Sequence, residues 1–406
     1  MNFEQDEHEN VPIKLAAETI SRSELESAAE WMLAGNQLTK GAQTLAFEKE
    51  FAAYMGTEHA VFVNSGSSAN LLVAAALKES GRLRNLKVVC PSISWVTTVT
   101  PYTQLGFEVT LCDASPLSLG VDPAKLREIF ERDHPSILVI VHVLGHPNDV
   151  VEIRRLCEEF DVILFEDSCE ALGSITAQGQ KLGTIGLAGS FSFYYGHHIS
   201  TIEGGMVVTS DFNLYQLMLS LRSHGWSRDL DPGFRQKLQA ENQVDDFRNL
   251  YTFYWPGFNF RSTDLQAFIG RNQLKRMNEI VEIRAANHAR YQMGLPDFWT
   301  QHSDASVLSS FAFGTAVSNR SQVASYLAKL GVDSRPLICG NLARHPFWSR
   351  ENEYQALPVA DFIHDFGMYL PNHASLSVQD VDRVIELFLN VAKPIFPDAR
   401  DPSLQL

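Results

Sequence analysis

No stretch of this 406-residue chain holds the roughly 20 consecutive apolar residues that a membrane-spanning helix needs. None of its five cysteines (Cys90, Cys112, Cys157, Cys169 and Cys339) stands in a C-x-x-C pair. That spacing argues against a disulfide framework or a metal site, and for a reducing, cytoplasmic setting in which most act as small buried hydrophobes. Positive charge is short as well: 33 Lys and Arg against 48 Asp and Glu give a formal net charge of −15. Such a balance suits neither nucleic acid nor an acidic membrane surface, although a local basic pocket for a nucleotide diphosphate is compatible with it. The opening residues, MNFEQDEHEN, have no basic stretch leading into an apolar core, so no signal peptide is expected. Internal repeats and low-complexity tracts are missing, which excludes solenoids and repeat arrays.

What is present is an ordinary folded composition, 45% hydrophobic and 20% charged, on a chain long enough for one large domain and a smaller one. Residues 1–18 read as a polar arm. Ser21-Arg22-Ser23-Glu24 is a capping box that opens a helix ending near Gly35, and Phe47, Phe51, Tyr54 and Met55 mark a second helix stopped by Gly56. From there short apolar runs at residues 60–63, 87–90, 109–112, 137–143 and 162–165 alternate with helical stretches at 69–78, 124–131 and 150–160. Near-continuous buried strands separated by helices predict a mostly parallel sheet covered on both faces. A strand is expected at 206–209, then helices at 213–222 and 263–281, with the polar segment 229–251 between them as a long loop or flap. Beyond about residue 286 the pattern shortens into a strand at 306–317, a helix at 321–330 and a final helix at 378–392 with Ser377 as its N-cap. The division this suggests is a large domain over 1–285, arm included, and a small α+β domain over 286–406.

Chemistry-bearing residues gather at four places. Residues 189–206 read GSFSFYYGHHISTIEGGM: an apolar run ends in a Gly-bounded loop that carries His197 and His198, followed by Glu203-Gly204-Gly205. Histidine is the common acid/base at neutral pH, though in a loop it also serves simply to satisfy backbone groups. At Asn64-Ser65-Gly66-Ser67-Ser68 a strand turns into a helix, which is either an anion site built from first-turn amides and hydroxyls or a plain Ser N-cap. Phe165-Glu166-Asp167 ends a buried strand with carboxylates, costly unless paired, and Glu170 follows in the same turn. Trp95, just past another strand, is either core or a flat face for a ring.

Ser192-Phe193 followed by Glu203-Gly204-Gly205 resembles the cofactor-lysine segment of the sugar-nucleotide aminotransferases, pyridoxal-phosphate enzymes of the aspartate aminotransferase fold. The family places a lysine six residues before the Glu of Glu-Gly-Gly; here that position is His197. A Tyr-Gly-His-His loop is similar to the branch that removes a sugar hydroxyl instead of transferring an amine. The resemblance implies fold type I, with a mostly parallel seven-stranded sheet in the large domain plus the small α+β domain. It implies pyridoxal 5′-phosphate or pyridoxamine 5′-phosphate held without a covalent bond, with the phosphate on Gly66, Ser67 and Ser192, the ring on Trp95, its nitrogen on Asp167, and Glu170 close by. His197 becomes the catalytic base. Asn259 would reach the partner's cofactor across a homodimer interface, and His224 would line the sugar site, although it equally fits a helix C-terminal cation. The implied partners are a sugar nucleotide, with a GDP-4-keto-6-deoxyhexose favoured for 3-dehydration, and L-glutamate to regenerate the amine. Two alternatives remain open: an iron–sulfur-dependent dehydratase of CDP-hexoses, whose closely spaced cysteines are missing here, and a non-catalytic binding protein of the same fold.

Overall fold

In the computed structural model, residues 11–353 and 355–397 are described. Of the polar arm expected over residues 1–18, the first ten lie outside the described residues. The remainder packs on the C-terminal part of the chain, where Ile13 is buried and exchanges backbone hydrogen bonds with Gly331 and Asp333.

The short apolar runs form the strands of one sheet. The strands of the first half are β1 (His59–Val63), β2 (Lys87–Pro91), β3 (Glu108–Cys112), β4 (Ile137–Val141), β5 (Ile163–Asp167), the two-residue β6 (Ile175–Thr176), β7 (Ala188–Ser192) and β8 (Gly205–Thr209). All but β6 join a seven-stranded sheet in the order β1-β8-β7-β5-β4-β2-β3. β2, β3, β4, β5 and β7 pair in parallel, whereas β8 runs antiparallel to both β7 and β1. Alternation explains the two covered faces. Val61, Val63, Ile137, Val139 and Val141 pack into one core layer that includes the helix Gly66–Glu79. Phe62 turns the other way, into a cluster with Phe47, Phe51, Phe191 and Phe193, and Leu138 and Ile140 meet Leu126, Phe130, Ile153 and Leu156.

The C-terminal part has its own core, in which Tyr291, Phe313, Val323, Leu327, Leu370, Val384 and Phe388 are buried together. Its strands are β9 (Ala305–Val307), β10 (Ala312–Ala316), β11 (Arg335–Pro336) and β12 (Gly367–Pro371). The last three make an antiparallel sheet in the order β10-β12-β11, and β9 pairs with β6. The helix Met277–Gly294 runs through position 285, joining the two parts.

The capping signals form as expected: Ser21 with Glu24 and Ser377 with Asp380 both close capping boxes, and Gly56 ends its helix in the left-handed conformation. Three expectations need correction. Residues 229–251 are not a loop: helices Pro232–Glu241 and Asp246–Asn249 form there, capped by Asp231 and Asp245. Only Leu238 of the two is buried, so no apolar stripe betrayed them. The helix expected over 263–281 is broken after Leu274 and restarts at Met277. The single strand expected over 306–317 is interrupted between Val307 and Ala312, where serines draw the backbone into other bonds: Ser309 N–H donates to Ser174 Oγ at 3.0 Å and Ser310 Oγ to the Ala312 carbonyl at 2.7 Å.

Candidate active site

One edge of the sheet collects the residues singled out above. Because β8 is antiparallel to both neighbours, Gly205 stands opposite Val63 on one side and Ser192 on the other. The carboxyl ends of β1, β5 and β7 therefore open on the same edge, the usual place for a ligand in such sheets. The cavity there has a volume of about 680 Å³, and its walls include Gly66, Ser67, Trp95, Asp167, Glu170, Ser192 and His197. Seven of the nine residues expected at a site are thus brought together by strands far apart in sequence.

The helix Gly66–Glu79 begins immediately after β1. Ser65 caps it, accepting from Ser68 N–H at 3.0 Å, which leaves the first-turn amides of Gly66 and Ser67 without acceptors inside the helix. Their partial positive charge, with the hydroxyls of Ser67 and Ser192 nearby, is the chemistry of a phosphate cradle. Trp95 is the N-cap residue of the helix Val96–Gln104, and despite its size it stays 57% exposed, an unsatisfied flat apolar face on the cavity wall.

Asp167 is buried at the end of β5. Its Oδ2 accepts from Asn70 Nδ2 at 2.8 Å and Thr98 Oγ at 2.7 Å, and Oδ1 accepts from Cys169 N–H at 3.2 Å. Ser190 Oγ donates at 2.6 Å to Asn70 Oδ1, which fixes the amide's orientation. A carboxylate held by these three donors retains lone pairs on Oδ1 for a further donor from the cavity. Its neighbour Glu166 points to the opposite face, fully buried. There it accepts from the backbone of Gly183, Ile185 and Gly186 at 2.6–2.8 Å and pairs with His142 at 3.0 Å. The adjacent carboxylates thus divide between the cavity and a loop anchor.

The histidine pair divides likewise. His197 lines the cavity with its ring 5.1 Å from that of Phe311, and its Nδ1 is buried without a hydrogen-bond partner. Burial pushes its pKa down to about 4, partly opposed by the Cys169 backbone and Asp167. The imidazole is therefore neutral near pH 7, in the form that accepts a proton. His198 is buried outside the cavity, its Nε2 2.9 Å from the Ser309 carbonyl oxygen. Glu170 is pushed the other way: burial raises its pKa to about 8, so it is protonated at neutral pH while Oε2 accepts from Leu144 N–H at 2.8 Å.

Several wall residues escaped sequence reasoning. Asn70 and Thr98 lie inside helices, where they read as ordinary helix polar residues. Arg335, Ile338, Cys339 and Tyr369 come from the C-terminal part, and among the described residues Arg335 is the one Lys or Arg lining the cavity. Its polarity was visible, but nothing local tied it to strands more than a hundred residues away.

Asn259 and His224 are not among the residues lining this cavity within one chain. They lie together on another surface, where Ser223 bridges Asn259 and His224 N–H donates to the Phe258 carbonyl. Asn259 is exposed, and His224 packs edge-on to Trp226 at 5.1 Å just past the end of the helix Phe212–Arg222. Among the described residues, no three His, Cys, Asp or Glu are grouped to hold a metal ion, and no helix is long and apolar enough to cross a membrane.

The chain matches the DegT/DnrJ/EryC1/StrS aminotransferase family over residues 19–389. It belongs to that family. A GDP-4-keto-6-deoxy-D-mannose 3-dehydratase of Yersinia pseudotuberculosis is 32% identical over 396 residues, spanning 93% of this chain and 98% of the relative. A crystal structure of a GDP-4-keto-6-deoxymannose-3-dehydratase mutant with bound GDP-perosamine matches with a TM-score of 0.85 at 29% identity, covering 92% of this chain and 99% of the other. A second structure of such an enzyme, with a trapped PLP-glutamate geminal diamine, matches with a TM-score of 0.85 at 30% identity and the same coverage. The aminotransferase fold expected from the resemblance is thus the one adopted, a mostly parallel seven-stranded sheet included.

Proposed function

We propose that this family member is a pyridoxamine-phosphate-dependent 3-dehydratase of a 4-keto-6-deoxy sugar nucleotide, with GDP-4-keto-6-deoxy-D-mannose as substrate and L-glutamate as amine donor. The carrying observation is the cavity wall itself: at the position where the family has its lysine it holds His197, a buried imidazole kept neutral near pH 7, and among the described residues no lysine lines it. Without an amine in the wall, no stable imine forms between protein and cofactor, so the cofactor is held by the fold alone. Relatives bound to GDP-perosamine and to a PLP–glutamate adduct support the substrate and the donor.

The residues present fit the cofactor. The amides of Gly66 and Ser67 and the hydroxyls of Ser67 and Ser192 suit its phosphate, Trp95 offers a face for its ring, and Asp167 has capacity for one more donor, the ring N–H. Bound as pyridoxamine phosphate, the group would supply an amine for the sugar's 4-keto carbon and a ring able to take up electrons, and L-glutamate would restore that amine after each turnover. The Asp167 carboxylate keeps the ring nitrogen protonated, which strengthens that uptake. His197 takes the proton from the carbon bearing the amine, and the neutral state set by its burial makes the imidazole available for this at neutral pH. The hydroxyl at sugar C3 would depart as water, and hydrolysis would release the nitrogen as ammonia and leave a 3-deoxy-4-keto sugar. Protonated Glu170 has a proton to donate within the cavity at the same pH.

We also propose a homodimer in which the surface carrying Asn259 faces the partner's cavity. The exposed aromatics Tyr251 and Phe253, at 75% and 55% exposure, pack on Trp226 beside His224 and support an interface there. Light scattering of the active enzyme should give a dimer; an active monomer would contradict this. The reaction is tested by mass spectrometry of the sugar nucleotide after incubation with pyridoxamine phosphate and L-glutamate. Loss of one oxygen at C3 is expected. Replacement of the C4 carbonyl oxygen by an amine would show an aminotransferase instead.

A further inference from the structure

Arg284 lies on the helix Met277–Gly294, and its side chain is only 1% exposed. Among the described residues no carboxylate pairs with it. Its Nη1 donates instead to three backbone carbonyls: Ser310 at 3.2 Å, Phe311 at 3.0 Å and Asn372. Asn372 Nδ2 returns the contact, donating to the Arg284 carbonyl at 3.2 Å and to Ser310 O and Oγ at 3.1 and 3.0 Å. A guanidinium taken out of water without a counter-charge is expensive, so its position calls for a reason.

The segment it grips supplies one. Ser309, Ser310 and Phe311 fill the break between β9 and β10, and this segment backs the histidine loop. Phe311 sets its ring against His197, and the Ser309 carbonyl holds His198. We propose that Arg284 is a positioning residue for His197: it fixes the segment behind the ring and sets a buried guanidinium next to the imidazole, linked to it through Phe311. The inference deepens the proposed function, since it concerns the same base.

The charged and titratable groups around His197 set the sign. Asp167 and the Cys169 backbone favour its protonated form; burial and Arg284 oppose it. His198 and His373 are also held down by burial and by Arg284, and so stay neutral beside it. Glu170 shares the cavity and is protonated near neutral pH. Arg284 itself is lowered by burial to about 9, so it remains charged across the working range. Removing its charge leaves Asp167 unopposed by any buried cation in this group, and His197 then gains its proton at higher pH.

The test reads His197 directly. The full chain is labelled with 13Cε1-histidine, the resonance is assigned with His197→Asn, and its titration is followed in the wild type, Arg284→Gln and Arg284→Lys, each checked for folding by circular dichroism. Arg284→Gln should raise the His197 midpoint by roughly one pH unit or more, the scale of a nearby charge in a buried setting. Arg284→Lys keeps the charge and should titrate like the wild type. In the holoenzyme, the acid limb of the single-turnover dehydration profile should move by the same amount in Arg284→Gln alone. A folded Arg284→Gln with an unshifted His197 midpoint would overturn the proposal, as would an equal shift in Arg284→Lys. Because the titration needs no turnover, a failure of the dehydratase reading would appear separately, as no reaction in the wild type.

Discussion

Gly66 and Ser192 stand so close that a Cβ on Gly66 would lie 2.6 Å from the Ser192 Cβ, with the Cys169 sulfur 3.2 Å away. The end of β7 therefore rests directly on the start of the helix Gly66–Glu79, and this contact shapes the cradle assigned to the phosphate. Ser192 Cβ is attached directly to the backbone rather than being the free end of a side chain, so a methyl group forces backbone or helix to shift. Gly66→Ala should weaken pyridoxamine phosphate binding about tenfold or more, in line with overpacking costs of roughly 1–3 kcal/mol. An absorbance titration measures this; unchanged affinity would remove the cradle from the account.

The histidines beneath the cavity predict acid sensitivity. His146, His198, His288 and His373 are buried, and burial lowers the pKa of each, to about 4 for His288 and His373. The unfolded chain takes up these protons near the ordinary histidine value, the folded chain only below it. Stability is thus complete above the ordinary value and is lost as pH falls toward the folded one. For His288 and His373 the loss is about 2 kcal/mol each by pH 5. Glu170 and Asp113 act in the opposite sense, because their raised pKa favours the folded state as pH drops, but the buried histidines, His197 among them, outnumber these two. The urea midpoint should fall between pH 7 and pH 5, and a rise would contradict the assignment of these residues as buried and neutral.

The pyridoxal phosphate form should bind without a covalent link to the protein. Borohydride reduction followed by peptide mass spectrometry is expected to find no pyridoxyl group on any lysine. A stoichiometric adduct would place an amine at the cavity after all.

Much of this was legible in the chain, and for a physical reason in each case. Asp167 stood out because a carboxylate at the end of the apolar run of β5 needs a partner, and the fold supplies Asn70 and Thr98. The parallel strands were legible because both their faces are buried and the residues are apolar throughout. Arg284 was not legible: within a polar helix an arginine reads as a surface charge, and only the tertiary fold brings Ser310 and Asn372 to it. The helices Pro232–Glu241 and Asp246–Asn249 were missed because they bury almost nothing, although Asp231-Pro232 is a start signal in its own right. The break between β9 and β10 could not be read from alternation, since it depends on Ser174 and His198 meeting Ser309 from other parts of the chain.

The central claim is that His197, and not its neighbour, is the base. His197 lines the cavity, whereas His198 lies outside it with its Nε2 2.9 Å from the Ser309 carbonyl oxygen. The measurement is single-turnover dehydration of GDP-4-keto-6-deoxy-D-mannose by His197→Asn and His198→Asn, with pyridoxamine phosphate occupancy checked by absorbance. His197→Asn should retain the cofactor and lose about 100-fold or more in rate, the scale for removing a general base, while His198→Asn loses much less. Near-normal turnover by a fully loaded His197→Asn would contradict the account.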